Sequence, residues 1–320
     1  MNRQTFVKTL AGGAITAVAA RAQPASPETL VYKVAQGCEI KADVYGNSKG
    51  TGKPALLWIH GGALINGSRK TSGGLLQAGL LELGYMVVSI DYRLAPETKL
   101  PGIIEDLRDA WRWMHGAGAR RFGIDPRRIA VAGGSAGGYL TLMSGFCVDP
   151  RPRALVSYYG YGDIDGPWYA EPDEFYRRQP LVSKEEAWAS VGTVVLSEPP
   201  AKSGRHRFYL YCRQQGIWPN EVAGRNPRKE PDWFGQYCPI RNVTKAYSPA
   251  LLIHGTADTD VPYAESQAMA ARLREAGVEH ELLTLPGAGH GLSGATSEEK
   301  SRAGDRAVEW IRSHTGERKI

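Results

Sequence analysis

The chain has 320 residues, enough for one large α/β domain with a sizeable core, and its 42% hydrophobic and 22% charged residues exclude a disordered or low-complexity protein. The formal charge of +6 is mild, and half of it comes from Arg3, Lys8 and Arg21 in the first 22 residues, which carry no acid. The other basic residues are interspersed with acids and form no aromatic-interleaved stripe, so nucleic-acid binding has no electrostatic footprint.

Residues 1–22 combine a basic start, a short apolar run and a small-x-small site at Ala20-Arg21-Ala22, the pattern of an export signal. The start resembles a twin-arginine signal with Gln4 in place of the second arginine. A periplasmic or extracellular mature protein is therefore expected. No later run is apolar enough to cross a membrane, so a soluble domain without stable membrane insertion is expected over residues 28–320. Of the four cysteines, Cys212 and Cys238 share an irregular region and are the pair favoured for a disulfide. No cysteine or histidine cluster has metal-ligand spacing, so no metal is expected.

Alternation of apolar and polar residues over 29–34 and 39–45 predicts an antiparallel strand pair at a sheet edge. The continuous apolar run at 54–60 reads as a strand buried on both faces, and 84–92 follows it after a helical segment at 72–83. Helical spacing returns over 103–115, and then come a strand at 129–132, a helix after it and a buried strand at 153–159. Strands alternating with helices predict a mostly parallel sheet covered on both faces. Between about 160 and 247 the scheme breaks into a segment rich in proline, arginine and aromatics, with helices expected near 183–191 and 204–215. A segment this long is an insertion, either a cap over the sheet's carboxyl edge or a partner surface. The alternation resumes with strands at 249–255 and 281–285 and helices at 263–276 and 301–314.

The stretch Gly133-Gly-Ser135-Ala-Gly137-Gly joins strand to helix, the context that a G-x-S-x-G nucleophile turn needs. Small neighbours let the serine adopt a strained backbone, and a helix starting there points free N–H groups at a developing oxyanion. A phosphate-cradling loop is the rival reading, but no Gly-x-x-x-x-Gly-Lys-Ser/Thr is present. Ser135 needs a base, and of seven histidines His290 is the candidate, in a glycine-rich loop after the last strand. His60 and His254 read as loop braces, and the remaining histidines as surface residues. The base needs a carboxylate to fix its tautomer. Asp258, nearer the end of its strand, is preferred to Asp260, which precedes Val261-Pro262 and reads as a helix N-cap. The order Ser135, Asp258, His290, each on a loop after a strand, is hard to obtain by chance. Gly61, Gly62 and Ala136 supply backbone donors for an oxyanion hole.

His60-Gly61-Gly62-Ala63, Asp91-Tyr-Arg-Leu-Ala-Pro-Glu97, Gly133-Gly-Ser135-Ala-Gly137-Gly and the Asp258 and His290 loops together resemble the α/β-hydrolase superfamily, and within it the hormone-sensitive-lipase-like carboxylesterases. The resemblance covers about 50–315 except the insertion. It implies an α/β-hydrolase fold with an eight-stranded sheet, a cofactor-free acyl-enzyme mechanism and small carboxylic esters as substrates. Ala63 stands where that family usually has a third glycine, and the loop from His254 to Pro262 is closer to prolyl-oligopeptidase-type and dienelactone-hydrolase-like relatives. Arg93 with Asp91 and Glu97 is expected to form one ion-pair brace beneath the oxyanion loop. A short-peptide peptidase and a non-catalytic binding module on the same scaffold are the alternatives to a serine esterase.

Overall fold

A computed structural model describes residues 26–316; the export signal expected over residues 1–22 falls outside them. Eight strands form one sheet in the order β1-β2-β4-β3-β5-β6-β7-β8. They are β1 (Glu28–Ala35), β2 (Cys38–Tyr45), β3 (Lys53–Ile59), β4 (Met86–Ile90), β5 (Ile124–Gly134), β6 (Leu155–Tyr158), β7 (Ala250–Gly255) and β8 (His280–Leu285). Only β1–β2 and β2–β4 pair antiparallel, as the alternating pattern at the N-terminal edge requires; β3 through β8 and the β3–β4 pair are parallel.

Both faces of the central strands are covered, which is why their sequences are continuously apolar. Successive side chains point to opposite faces. In β3, Leu57 and Ile59 enter the core shared with α2 (Leu100–His115), while Leu56 and Trp58 face α1 (Gly74–Glu82) on the other side. Behind α2 comes the short α3 (Ala117–Phe122), and α4 (Ala136–Cys147) follows β5. The faces are completed by α11 (Tyr263–Glu275) and α12 (Ser297–Thr315), whose Ala303, Ala307 and Ile311 are buried against the Leu56 side.

The insertion is a set of short helices: α5 (Pro167–Ala170), α6 (Glu174–Arg177), α7 (Lys184–Ala189), α8 (His206–Gln215), α9 (Trp218–Ala223) and α10 (Pro231–Phe234). Its aromatics largely pack on one another, with Tyr169 stacked on Trp218 at 4.0 Å and on Trp168 at 3.7 Å. The expected disulfide is absent: all four cysteines are free. Cys212 is buried within α8, whereas the Cys238 sulfur lies 3.4 Å from Oδ1 of Asp165, so the two thiols serve different surroundings.

The site's position follows from strand order. The chain leaves β3 for β4 on one side and returns to β5 on the other, so the loops after β3 and β5 diverge from neighbouring strand ends. Such a switch point leaves a crevice at the carboxyl edge. Ile59 pairs with Gly133, which sets residues 60–63 beside residues 134–136.

Candidate active site

Ser135 lies between the last residue of β5 and the first of α4, with φ 57 and ψ −122. Such a conformation costs an L-residue about 1–3 kcal/mol and persists only where the surroundings enforce it. Here they do. Ser135 N–H donates to the carbonyl of Tyr158 (2.9 Å), and its own carbonyl accepts from Tyr139 N–H (2.9 Å). The close approach that the flanking glycines implied is present: a Cβ on Gly137 would stand 2.1 Å from the carbonyl oxygen of Ile59. No larger residue fits between strand and helix there.

The loops after β7 and β8 are joined by backbone hydrogen bonds, Thr256 N–H to Leu285 carbonyl (3.1 Å) and Ala257 N–H to Ala288 carbonyl (2.9 Å). That pairing brings two distant stretches to one point. Asp258 Oδ2 lies 2.8 Å from His290 Nδ1, and His290 Nε2 lies 3.1 Å from Ser135 Oγ. The Asp258 side chain has no exposed surface and accepts further bonds on Oδ1 from the amides of Asp260 (2.8 Å) and Val261 (2.9 Å). Burial works to raise its pKa, but hydrogen bonds from His254 and His290 outweigh it and hold the carboxyl well below the usual range. For His290, burial opposes the charged form, while the Asp258 hydrogen bond and the charges of Asp260 and Asp258 raise its pKa above the ordinary histidine value. The edge of the Tyr159 ring packs against the imidazole at 4.9 Å.

His254 braces this loop as expected: its Nδ1 lies 2.7 Å from Ser266 Oγ, and its Nε2 lies 3.2 Å from Asp258 Oδ2 and 3.1 Å from the Val261 carbonyl. His60 stacks on Tyr92 at 4.3 Å and bonds through Nδ1 to the Gly61 carbonyl (2.7 Å), and burial depresses its pKa to about 4. It is a neutral structural ring.

In the loop after β3 the carbonyls of Gly61, Gly62 and Ala63 are occupied. Gly62 accepts from Ile65 (2.9 Å) and Asn66 (2.8 Å), Ala63 accepts from Trp218 Nε1 (3.0 Å), and Gly61 accepts from His60. The N–H groups of Gly61 and Gly62 have no acceptor among the described residues. Ala136 is the first residue of α4, where an amide has no intrahelical partner. A Cβ on Gly61 would sit 2.8 Å from the Gly134 carbonyl and 3.2 Å from Ser135 Cβ, so only glycine leaves that gap open.

Two expectations need correction. Asp260 is not a helix cap: α11 begins at Tyr263 behind Pro262, and no side chain caps it. Instead Asp260 Oδ2 lies 3.3 Å from His290 Nε2, and its Oδ1 is held by Tyr176 (2.8 Å), Arg213 (3.0 Å) and Tyr209. The single brace expected around Arg93 is three separate pairs. Arg93 bonds Asp106 (2.7 Å), Asp91 bonds Arg69 (2.6 Å), and Glu97 bonds Arg205 (2.7 Å). The segment leaves β4 as loop and turn rather than as a strand, so its charges face different elements: Asp106 on α2, Arg69 in the loop after β3 and Arg205 at the start of α8.

A cavity of about 620 Å³ opens over Ser135 and His290. Its apolar wall comes from Trp58, Leu75, Leu76, Tyr158 and Leu292, on the α1 and α12 side of the sheet. The insertion contributes only His206 and Tyr209 to the lining, so most of its aromatics form its own core. Among the described residues one group of metal-type ligands lies together, Asp163, Asp165 and Cys238, away from the cavity lining and with Arg241 already paired to Asp165 (2.7 Å). No helix among the described residues is long and apolar enough to cross a membrane.

Sheet order, nucleophile turn and loop geometry together define an α/β hydrolase. The model of the alpha/beta hydrolase fold family matches residues 56–293, and the chain belongs to that family. Esterases are among its relatives. The esterase LipC of Mycobacterium tuberculosis is 31% identical over 243 residues, which cover 75% of this chain and 53% of that protein. The non-reducing polyketide synthase Preu6 of Preussia isomera is 29% identical over 82% of this chain, which spans only 13% of the synthase. Among solved structures, the thermostable carboxylesterase EstE1, cloned from a metagenomic library, is 26% identical with a TM-score of 0.66, covering 93% of this chain and 92% of that one. A Staphylococcus aureus protein described as of unknown function shares the fold at 18% identity, with a TM-score of 0.73 over 90% of this chain and 99% of that one.

Proposed function

We propose that the chain is a serine carboxylic-ester hydrolase with Ser135 as nucleophile, His290 as base and Asp258 as its orienting carboxylate. The observation that carries this reading is the continuous row from Asp258 Oδ2 to His290 Nδ1 (2.8 Å) and from His290 Nε2 to Ser135 Oγ (3.1 Å). Asp258 holds the proton on Nδ1, which leaves the Nε2 lone pair facing the hydroxyl. Ser135 Oγ bonds to the ester carbonyl carbon as its proton passes to Nε2. The carbonyl oxygen, now negative, is held by the amides of Gly61, Gly62 and Ala136. The C–O bond to the alcohol then breaks, and Nε2–H delivers the proton to the departing oxygen. Water repeats the sequence on the acyl-enzyme, releasing the acid and restoring Ser135. No step calls for a cofactor or metal. Similarity to LipC and EstE1 supports an ester rather than an amide substrate.

Ser135→Ala should abolish hydrolysis of p-nitrophenyl butyrate while the protein still unfolds cooperatively; retained turnover would remove the serine from the mechanism. Export directed by residues 1–22 is part of the same proposal. Fractionation of expressing cells should then find a periplasmic or secreted product beginning near residue 23, and a full-length cytoplasmic product would contradict it.

A further inference from the structure

We infer that Asp260 is a second positioning carboxylate for the histidine base, through which the mid-chain insertion sets the protonation behaviour of His290. This rests on the esterase reading above.

The geometry is specific. Asp260 Oδ2 lies 3.3 Å from His290 Nε2, the nitrogen that faces Ser135, and not from Nδ1, which Asp258 already occupies. While Nε2 is unprotonated, a carboxylate oxygen beside its lone pair gains nothing. Once Nε2 receives the serine proton, the same oxygen faces a positive ring and an N–H donor. Asp260 therefore favours the imidazolium that accompanies the tetrahedral intermediate over the resting imidazole. The carboxylate cannot swing away, because Oδ1 is held by Tyr176 (2.8 Å), Arg213 (3.0 Å) and Tyr209. These three residues belong to α6 and α8. Arg213 is buried and is itself anchored to Asp173 (2.6 Å) and to the Asp260 carbonyl (2.9 Å). The insertion thus contributes little wall to the cavity but fixes a charge against the base.

Other groups act on the same ring. Asp258, itself bonded to His254, faces Nδ1; Arg213 opposes Asp260 from the insertion; the Tyr159 ring borders the imidazole after β6. Lys300 of α12 and His206 of α8 line the same cavity. Of these, Asp260 is the anion beside Nε2, so its neutralisation has a signed consequence.

Asp260→Asn keeps the shape and removes the charge. In the full-length variant, titration of His290 by nitrogen-15 histidine NMR should move to lower pH by about one unit, and the acid limb of kcat/KM should follow it. The plateau kcat should fall roughly tenfold. A merely structural anchor would lower activity at every pH without moving either titration. An unshifted His290 titration in folded Asp260→Asn overturns the inference. Should that variant not fold, Tyr209→Phe removes one donor from Oδ1 while Tyr176 and Arg213 still hold it, so less of the carboxylate's charge is offset by hydrogen bonding. His290 should then titrate at higher pH, and no change there also overturns it. Because the NMR titration needs no turnover, it decides the role of Asp260 even if Ser135→Ala were to retain activity and sink the esterase reading.

Discussion

Asp258→Asn tests the base assembly most sharply, because the surroundings dictate how the new amide must lie. Oδ1 of Asp258 accepts two backbone amides, from Asp260 (2.8 Å) and Val261 (2.9 Å), so the asparagine oxygen is required there. The NH2 group is thereby forced into the place of Oδ2, 2.8 Å from His290 Nδ1. Reversing the amide would lose two hydrogen bonds and set donors against donors. With a donor facing it, Nδ1 must become the acceptor, and the ring proton moves to Nε2, where it blocks proton transfer from Ser135. His254 loses one acceptor but keeps the Val261 carbonyl at 3.1 Å. The fold should survive with a cost of about 1–3 kcal/mol. Catalysis should fall about 10⁴-fold, equivalent to about 5.5 kcal/mol in the barrier. The assay is kcat/KM for p-nitrophenyl butyrate at pH 8, beside a urea unfolding curve on the same sample. A variant that folds and retains more than a tenth of wild-type kcat/KM would refute the tautomer argument.

Three further outcomes are expected. Gly61→Ala introduces a Cβ 2.8 Å from the Gly134 carbonyl and should push the oxyanion loop off the serine, lowering kcat by about 10²–10³ while the substrate KM changes little. The wild-type acid limb of kcat/KM should lie above the ordinary histidine value of about 6.5, since Asp258 and Asp260 favour the protonated ring and the base works only when neutral; a limb below that value would show the opposite balance. Arg69→Met strands Asp91 and Asp43, both buried, without their guanidinium partner and should cost about 3–5 kcal/mol in denaturant unfolding, with a negligible loss counting against the network.

Much of this architecture was legible because it obeys strong local rules. Apolar runs such as 54–60 and 249–255 can only be strands buried on both faces, and each of the eight strands coincides with a predicted one. Ser135 was visible because a strand, glycines and a helix leave few other readings, and Asp258 and His290 because loops after successive strands gather at one edge. What stayed hidden depends on long-range partners. Asp260 looks like a cap until Tyr176 and Arg213, far back in the insertion, are seen closing on it. Within the insertion α7 and α8 fall where helices were expected, but α5, α6 and α10 span four residues each, too few to show a periodicity, and α3 spans only six. The cavity wall from Trp58, Leu76 and Tyr158 joins three separate elements, which no local pattern announces.

Labelling with a fluorophosphonate probe, followed by peptide mapping, tests the central proposal most directly. One adduct on the peptide carrying Ser135, lost in Ser135→Ala and slowed in Asp258→Asn, is the predicted result. Ester turnover by a protein that the probe leaves unmodified, or modifies at another serine, would contradict it.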